Sequence, residues 1–387
     1  MNTKFSILLF ILFFEFPLIK AQNISGSKLI FPPQEKHVHS SSIVECPDGS
    51  LLACWFEGSG ERTANDVRIR GARLAKGQLQ WSPVFEMADT PNYPDCNPIL
   101  YLDNKDRLVL MWIVVVGNQW EGSMLRYRIS TDYMQSGPPK WQWQDLLLLK
   151  NNDTFQEEVK KGFKALPDKD LAWAAYAPKY ERMLVAAAGD PIKRETGWMT
   201  RIAPTYLPSG RILLPLYSDG YNFSLVAISD DNGQTWFPSA PIVGKGNVQP
   251  VILRRKSGEL VAYMRDNGDP PGRIMVSTSH NDGMHWTPAL DSNLPNPGAS
   301  VTGLVLQDGR WCLIYNDTED GRHNLTMAFS NDEGKSWQRR EILEESARDK
   351  GSFAYPAIIQ SNDGTVHITY TWRREKKSIK HVTMGVD

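Results

Sequence analysis

Ser229-Asp230-Asp231-Asn232-Gly233-Gln234-Thr235-Trp236 recurs with small changes as Ser279-His280-Asn281-Asp282-Gly283-Met284-His285-Trp286 and as Ser330-Asn331-Asp332-Glu333-Gly334-Lys335-Ser336-Trp337. The three serines stand 50 and 51 positions apart. A period of that size marks a repeated supersecondary unit, which we read as a β-propeller blade. The residue types suit a tight turn between strands. A short Asp or Asn side chain bonds nearby backbone, Gly takes positive φ, and the closing Trp can pack between adjacent sheets. The motif therefore reports scaffold rather than chemistry.

Outward from the octapeptides, apolar strand-like runs flank six tight-turn signals: Pro47-Asp48-Gly49, Asn104-Lys105-Asp106, Pro208-Ser209-Gly210, Lys256-Ser257-Gly258, Gln307-Asp308-Gly309 and Asn362-Asp363-Gly364. Asp-Gly and Ser-Gly supply the backbone geometry a hairpin needs. One such turn precedes each octapeptide, and Ser130-Thr131-Asp132 with Trp141 reads as a decayed copy after the Asp106 turn. The last turn is followed by Ser378–Met384 and no further copy, so a strand from the N-terminal region is expected to complete that blade and close the ring. Between the second and third turns, residues 154–188 change to Gln156-Glu157-Glu158-Val159-Lys160-Lys161 and an Ala-rich run, a composition that favours helix. The predicted fold is all-β, a six-bladed propeller with a small helical insertion over about 154–188. A seventh, degenerate blade within that insertion is the alternative.

The chain has 387 residues with 43 basic and 44 acidic side chains, and so lacks the basic excess that phosphate binding demands. Nucleic acid is excluded as an expected partner. Thirteen Trp and 29 Gly fit a turn-rich β protein, with most of the Trp in the core and some free to stack on sugars. Lys4, the apolar run from Phe5 to Ile19 and Lys20-Ala21-Gln22 resemble a cleavable secretory signal over residues 1–21. The expected mature domain spans residues 22–387, is secreted or periplasmic, and has no membrane span, because no later apolar run reaches the roughly 18–20 residues one requires. Cys46, Cys54, Cys96 and Cys312 form no CxxC pair and no Cys/His metal spacing, so buried thiols are expected rather than a disulfide framework. Neither a catalytic metal nor a cofactor is implied.

Propeller sites gather on the axis, where inner strands bring together residues distant in sequence. Arg265 closes the strand Leu260-Val261-Ala262-Tyr263-Met264-Arg265. Arg322 lies in Gly321-Arg322-His323-Asn324-Leu325-Thr326 just before the third octapeptide, and Tyr355 lies in Gly351-Ser352-Phe353-Ala354-Tyr355-Pro356. On these motifs, and with the octapeptides as Asp boxes, residues 36–387 resemble the sialidase superfamily of secreted neuraminidases and sialidase-like Asp-box proteins. The resemblance implies that Arg265 and Arg322 are the second and third arginines of a carboxylate clamp, whose forked guanidinium groups give paired charge-assisted hydrogen bonds. It further implies that Tyr355 is the nucleophile, sialidases being the tyrosine exception among glycosidases.

Two positions depart from the family pattern. In His39-Ser40-Ser41-Ser42-Ile43-Val44 the first clamp arginine is replaced by His39, whose charge depends on pH. The glutamate that polarises the tyrosine falls on Gln249 of Asn247-Val248-Gln249-Pro250, and an amide takes no proton at neutral pH. The loop Glu57-Gly58-Ser59-Gly60-Glu61-Arg62-Thr63-Ala64-Asn65-Asp66 corresponds to the one carrying the sialidase acid/base. It offers Glu61 first and Asp66 second for that role, with Arg62 as a substitute for the first arginine. Asp95, at the start of the second blade's inner strand, and Arg201, after the insertion, are further candidates to line the pocket. Arg373, Arg374 and His381 read as a solvated basic patch.

The function implied is that of an exported, exo-acting, retaining glycoside hydrolase that releases a terminal sialic acid or related nonulosonic acid. Two alternatives stay open: a hydrolase or lyase for another acidic sugar such as a uronic acid, and a non-catalytic glycan-binding propeller.

Overall fold

The computed structural model describes residues 24–167 and 171–385. Its sheets follow one another along the chain as a six-bladed β-propeller with three short helices. The first blade comprises His37–Glu45, Leu51–Gly58, Arg68–Leu74 and Phe85–Ala88, and the second Asp95–Leu102, Leu108–Val115, Ser123–Ser130 and Trp143–Leu146. In the third, Met199–Thr200 and Thr205–Tyr206 share the partner Ile212–Ser218, followed by Phe223–Ser229 and Phe237–Pro238. The fourth runs Asn247–Arg254, Leu260–Asp266, Arg273–Ser279, Leu290–Pro295, and the fifth Thr302–Val305, Trp311–Tyr315, Asn324–Ser330, Arg339–Glu345. Ser352–Gln360, Val366–Arg373 and Lys377–Met384 make the sixth, and Ile24–Leu29 completes it by pairing antiparallel with Lys377–Met384. The expected N-terminal closing strand is thus present. Among the described residues there is no seventh sheet.

Each blade lies between two neighbours, so both faces of its middle strands are covered and the period-two alternation of a half-exposed sheet disappears. Leu108–Val115, Ile212–Ser218 and Phe223–Ser229 are buried at every position. All four cysteines are buried free thiols.

The octapeptides tie blades together. Ser229, Ser279 and Ser330 each accept the N–H of the box glycine at 2.8–3.1 Å. Asp231 takes the N–H and hydroxyl of Thr235, and Asp332 those of Ser336. The residue before each glycine reaches the preceding blade's hairpin: Asn232 bonds Asp103 and the Asn104 N–H, Asp282 accepts from Arg211, and Glu333 accepts from Arg255 and the Lys256 N–H. The decayed copy at Ser130 keeps the bond from the Asp132 N–H to the serine hydroxyl, at 3.2 Å. Since strands alternate in direction, these turns occupy one face of the disc. The loops joining second to third strands occupy the other, beside the start of every inner strand.

The insertion consists of Phe155–Ala165, Leu171–Ala188 and a third short helix, Pro191–Glu195, which Asp190 caps by accepting the Ile192 N–H at 2.9 Å. Phe155, Val159 and Phe163, four residues apart on one helical face, are buried. Phe155 meets Trp198 and Tyr221 edge-on, and Phe163 meets Phe223, so the insertion is anchored on the third blade.

Candidate active site

Four inner strands bend at the same place. In the first, second, fourth and sixth blades the inner strand advances three residues while its partner advances two, which is a one-residue bulge. Within these bulges Ser40, Asn97, Gln249 and Tyr355 have φ of 59, 47, 57 and 56°. A left-handed backbone costs a non-glycine residue about 1–2 kcal/mol, and such strain concentrates where a site over-determines it. The bulge turns these residues toward the axis.

Their position is readable as a spacing. Ser40, Asn97, Arg201, Gln249, Ser300 and Tyr355 each stand nine residues before the left-handed residue of the following hairpin, namely Gly49, Asp106, Gly210, Gly258, Gly309 and Gly364. All six are buried. Three of them, Asn97, Gln249 and Tyr355, line a cavity of about 380 Å³ at the loop-bearing end of the axis.

Tyr355 is at its centre. Its hydroxyl accepts from Arg265 Nη1 at 3.1 Å and from Gln249 Nε2 at 3.2 Å, so its own proton is what it can offer a ligand. Gln249 Nε2 also donates to Tyr217 at 3.3 Å, and Asn97 Nδ2 donates to the same hydroxyl at 3.0 Å. The Tyr355 ring lies 4.0 Å from the His39 ring, with Arg201 and Arg322 guanidinium carbons 4.9 and 5.5 Å from its centroid. Arg322 is aimed by a bond from its Nη2 to the Gly298 carbonyl at 2.9 Å, and Arg265 by one from its Nη2 to Asn267 at 3.0 Å. His39 shares a 2.8 Å bond with Thr371. Burial, then Arg322 and the other nearby cations, hold its pKa well below the usual imidazole value, so at neutral pH it lines the cavity uncharged.

The rim is divided by charge. Blades four, five and six contribute Arg265, Arg322 and Arg373, blades one and three Glu61 and Asp219, and blade two the Trp120 ring. Burial raises the pKa of both carboxyls, partly offset by Arg62 and Arg322 at Glu61 and by Arg265 at Asp219, which favours proton retention. Asp219, Tyr217 and Asn97 carry no family-like motif, although Asn97 obeys the nine-residue spacing.

The structure thus brings Tyr355, Arg265, Arg322, His39, Gln249 and Glu61 around one cavity. Four other candidates are corrected. Asp66 turns away: its carboxylate accepts the Ser59 N–H and hydroxyl at the exposed base of the loop. Asp95 is wholly buried beside the cavity, accepting from the Thr90 N–H and Trp112 Nε1, and burial pushes its pKa up to about 6. Arg201 lies beneath Tyr355, donating to the Pro356 and Ser41 carbonyls, and lines the opposite axial cavity of about 480 Å³. Burial brings its pKa down to about 10. Arg62 stacks on Trp120 behind the rim, 5.5 Å from the ring centroid. Arg373, exposed as expected, also lines the cavity, whereas His381 is buried and packs against His367 and Trp81 away from it.

Residues 49–186 and 190–368 match the BNR repeat-like domain. No curated protein matches the sequence. Similar solved structures include a protein of unknown function from Dyadobacter fermentans, at 15% identity and TM-score 0.69, with 95% of this chain and 100% of that one covered. The Hadza microbial sialidase Hz136 aligns at 17% identity and TM-score 0.64 over 90% of this chain and 66% of its own. The intramolecular trans-sialidase of Ruminococcus gnavus, in complex with oseltamivir carboxylate, aligns at 12% identity and TM-score 0.65 over 95% and 99%. At these identities the likeness is one of fold. With the family match spanning most of the chain, the protein belongs to the BNR repeat-like family and is a sialidase-like β-propeller.

Proposed function

We propose that the protein is an exported, exo-acting glycoside hydrolase that releases a terminal acidic sugar, a sialic acid or related nonulosonic acid, with retention of configuration. The observation that carries this reading is the charge-divided rim around Tyr355. The arginines of blades four and five hold the sugar carboxylate by paired charge-assisted bonds. Glu61, across the cavity and inclined to keep its proton, donates it to the leaving oxygen. Tyr355 attacks the anomeric carbon as the glycosidic C–O bond breaks, losing its phenolic proton to water in the cavity. The glycosyl-tyrosine is then hydrolysed by water with Glu61 as base, Tyr355 regaining a proton from solvent, so two inversions give net retention. The Lys4-to-Ala21 pattern supports export.

Turnover of a fluorogenic sialoside panel including deaminated and eight-carbon keto-acid analogues tests the reading. Wild type should release the free sugar acid. Tyr355→Phe should lose activity while still binding the product, and equal rates for the two proteins would remove Tyr355 as nucleophile.

One observation favours a second reading. The neighbour of the Tyr355 hydroxyl that would take its proton is an amide, Gln249. That fits either a different acidic sugar, such as a uronic acid cleaved by hydrolysis or β-elimination, or a glycan-binding propeller without turnover. An unsaturated product chromophore identifies the lyase, and saturable binding without product identifies the lectin.

A further inference from the structure

The cavity holds more positive charge than one carboxylate requires. Beyond Arg322 its wall continues in Ser352, Arg373, Lys377 and His37. Three of these form one row across the sixth blade, since Ser352 is the register partner of Arg373 and Arg373 is the register partner of Lys377. The bridge between Gln34 and Lys377 brings the start of the first blade, and with it His37, alongside.

Arg373 and Lys377 are directly opposed in an antiparallel pair, an arrangement in which like charges repel and destabilise the sheet. The adjacent Lys376 and Lys380 have carboxylate partners in Glu35 and Glu344, whereas Arg373 and Lys377 make no ion pair among the described residues. His37 supplies an independent sign: its Nε2 is buried and lacks a hydrogen-bond partner. Burial, Lys377 and Arg373 bring its pKa down to about 4, so it faces the cavity as a neutral imidazole able to donate one N–H.

We propose that Ser352, Arg373, Lys377 and His37 form a second oxyanion subsite, separate from the Arg265 and Arg322 pair. The substrate would then be a glycan with two anionic groups, the terminal acidic sugar and a carboxylate or sulfate ester on that sugar or its neighbour. The identity of the glycan rests on the function proposed above, but the subsite rests on the row itself. A bound oxyanion would bridge Arg373 and Lys377 and so relieve the repulsion between them.

Two measurements test the subsite and the glycan separately. In the first, thermal unfolding is followed in sodium sulfate and in sodium chloride of equal ionic strength, for wild type, Lys377→Gln, the Arg373→Gln/Lys377→Gln double variant and Lys376→Gln. Lys376→Gln removes the same charge one residue away, outside the cavity. Without sulfate at low salt, Lys377→Gln should melt higher than wild type. With sulfate, wild type and Lys376→Gln should gain equally, and the double variant should lose at least about half of that gain. Equal gains in all four proteins overturn the proposal.

The second measurement uses calorimetry on the Tyr355→Phe background with sialyllactose, disialyllactose and a sulfated sialyllactose. The doubly charged probes should bind about tenfold tighter, as one additional charge-assisted bond provides, and the double variant should reduce that advantage to about threefold or less. Whichever probe shows the advantage identifies the second group as carboxylate or sulfate. An advantage unchanged in the double variant overturns the proposal. If the sulfate gain depends on Arg373 and Lys377 but no sialylated probe binds, the subsite stands and the sialic-acid reading falls.

Discussion

At the residue scale, the pair formed by Tyr355 and Gln249 decides what chemistry is open to the cavity. Gln249 is 2% exposed, left-handed, and 3.2 Å from the Tyr355 hydroxyl, the place where a proton acceptor would act. Replacing it by a carboxylate changes little volume and supplies that acceptor. If hydrolysis proceeds through Tyr355, Gln249→Glu should raise kcat on a sialoside on the order of 10²-fold, the usual contribution of a positioned base. A kcat unmoved by this substitution points to a route that does not deprotonate Tyr355. Ser40 tests the strain in the ring: it sits at φ 59° with a buried hydroxyl lacking a partner. Ser40→Gly should stabilise the protein by about 1 kcal/mol, seen as a higher Tm, because glycine accepts that backbone without penalty.

At the scale of the element, the sixth blade couples stability to pH. His367 Nδ1 and His381 Nε2 are 3.0 Å apart within the sheet, and burial, then His367 and Lys28, bring the His381 pKa down to about 3. The unfolded chain takes up this proton below about pH 6.5, while the folded one resists it until near pH 3. The stabilisation is therefore fully present above about pH 6.5 and is lost as pH falls through that window. Between pH 7 and 5 wild type should lose about 2 kcal/mol that His381→Gln does not, measurable as converging denaturation midpoints on acidification. Parallel acid profiles for the two proteins would show that the pair is protonated in the native state.

At the scale of the whole molecule, ring closure rests on Ile24–Leu29, the fourth strand of the sixth blade, supplied from the other end of the chain. Truncation after Leu29 would leave Lys377–Met384 as an unpaired edge. With each lost ladder bond worth about 1 kcal/mol net, the truncated protein should be roughly 2–4 kcal/mol less stable and more prone to aggregate through that edge, by calorimetry and light scattering. Cleavage of the proposed signal after Ala21 would spare this strand by only a few residues. The mass of the exported protein should accordingly show a start upstream of Ile24.

Scaffold and site differ in how far they can be read from residues alone. The octapeptide period, the hairpin signals and the missing last copy carry the six blades and their N-terminal closure, because turns depend on local backbone chemistry that Asp, Asn and Gly announce wherever they stand. Tyr355, Arg265, Arg322, His39, Gln249 and Glu61 were reachable through family-like motifs. Asp219 and the cavity-lining role of Arg373 and Lys377 were not, since which charged residues beside a turn reach the axial cavity depends on how the ring brings the blades together. Asp66 and Asp95 show the converse: each is a carboxylate at a plausible place in sequence, one turned back onto Ser59 and the other sealed against Trp112. Local sequence determined where the chain turns and how many blades it builds. Which charges share a cavity was decided only by closure of the disc, since that is a property of six inner strands meeting at one axis and of no single strand.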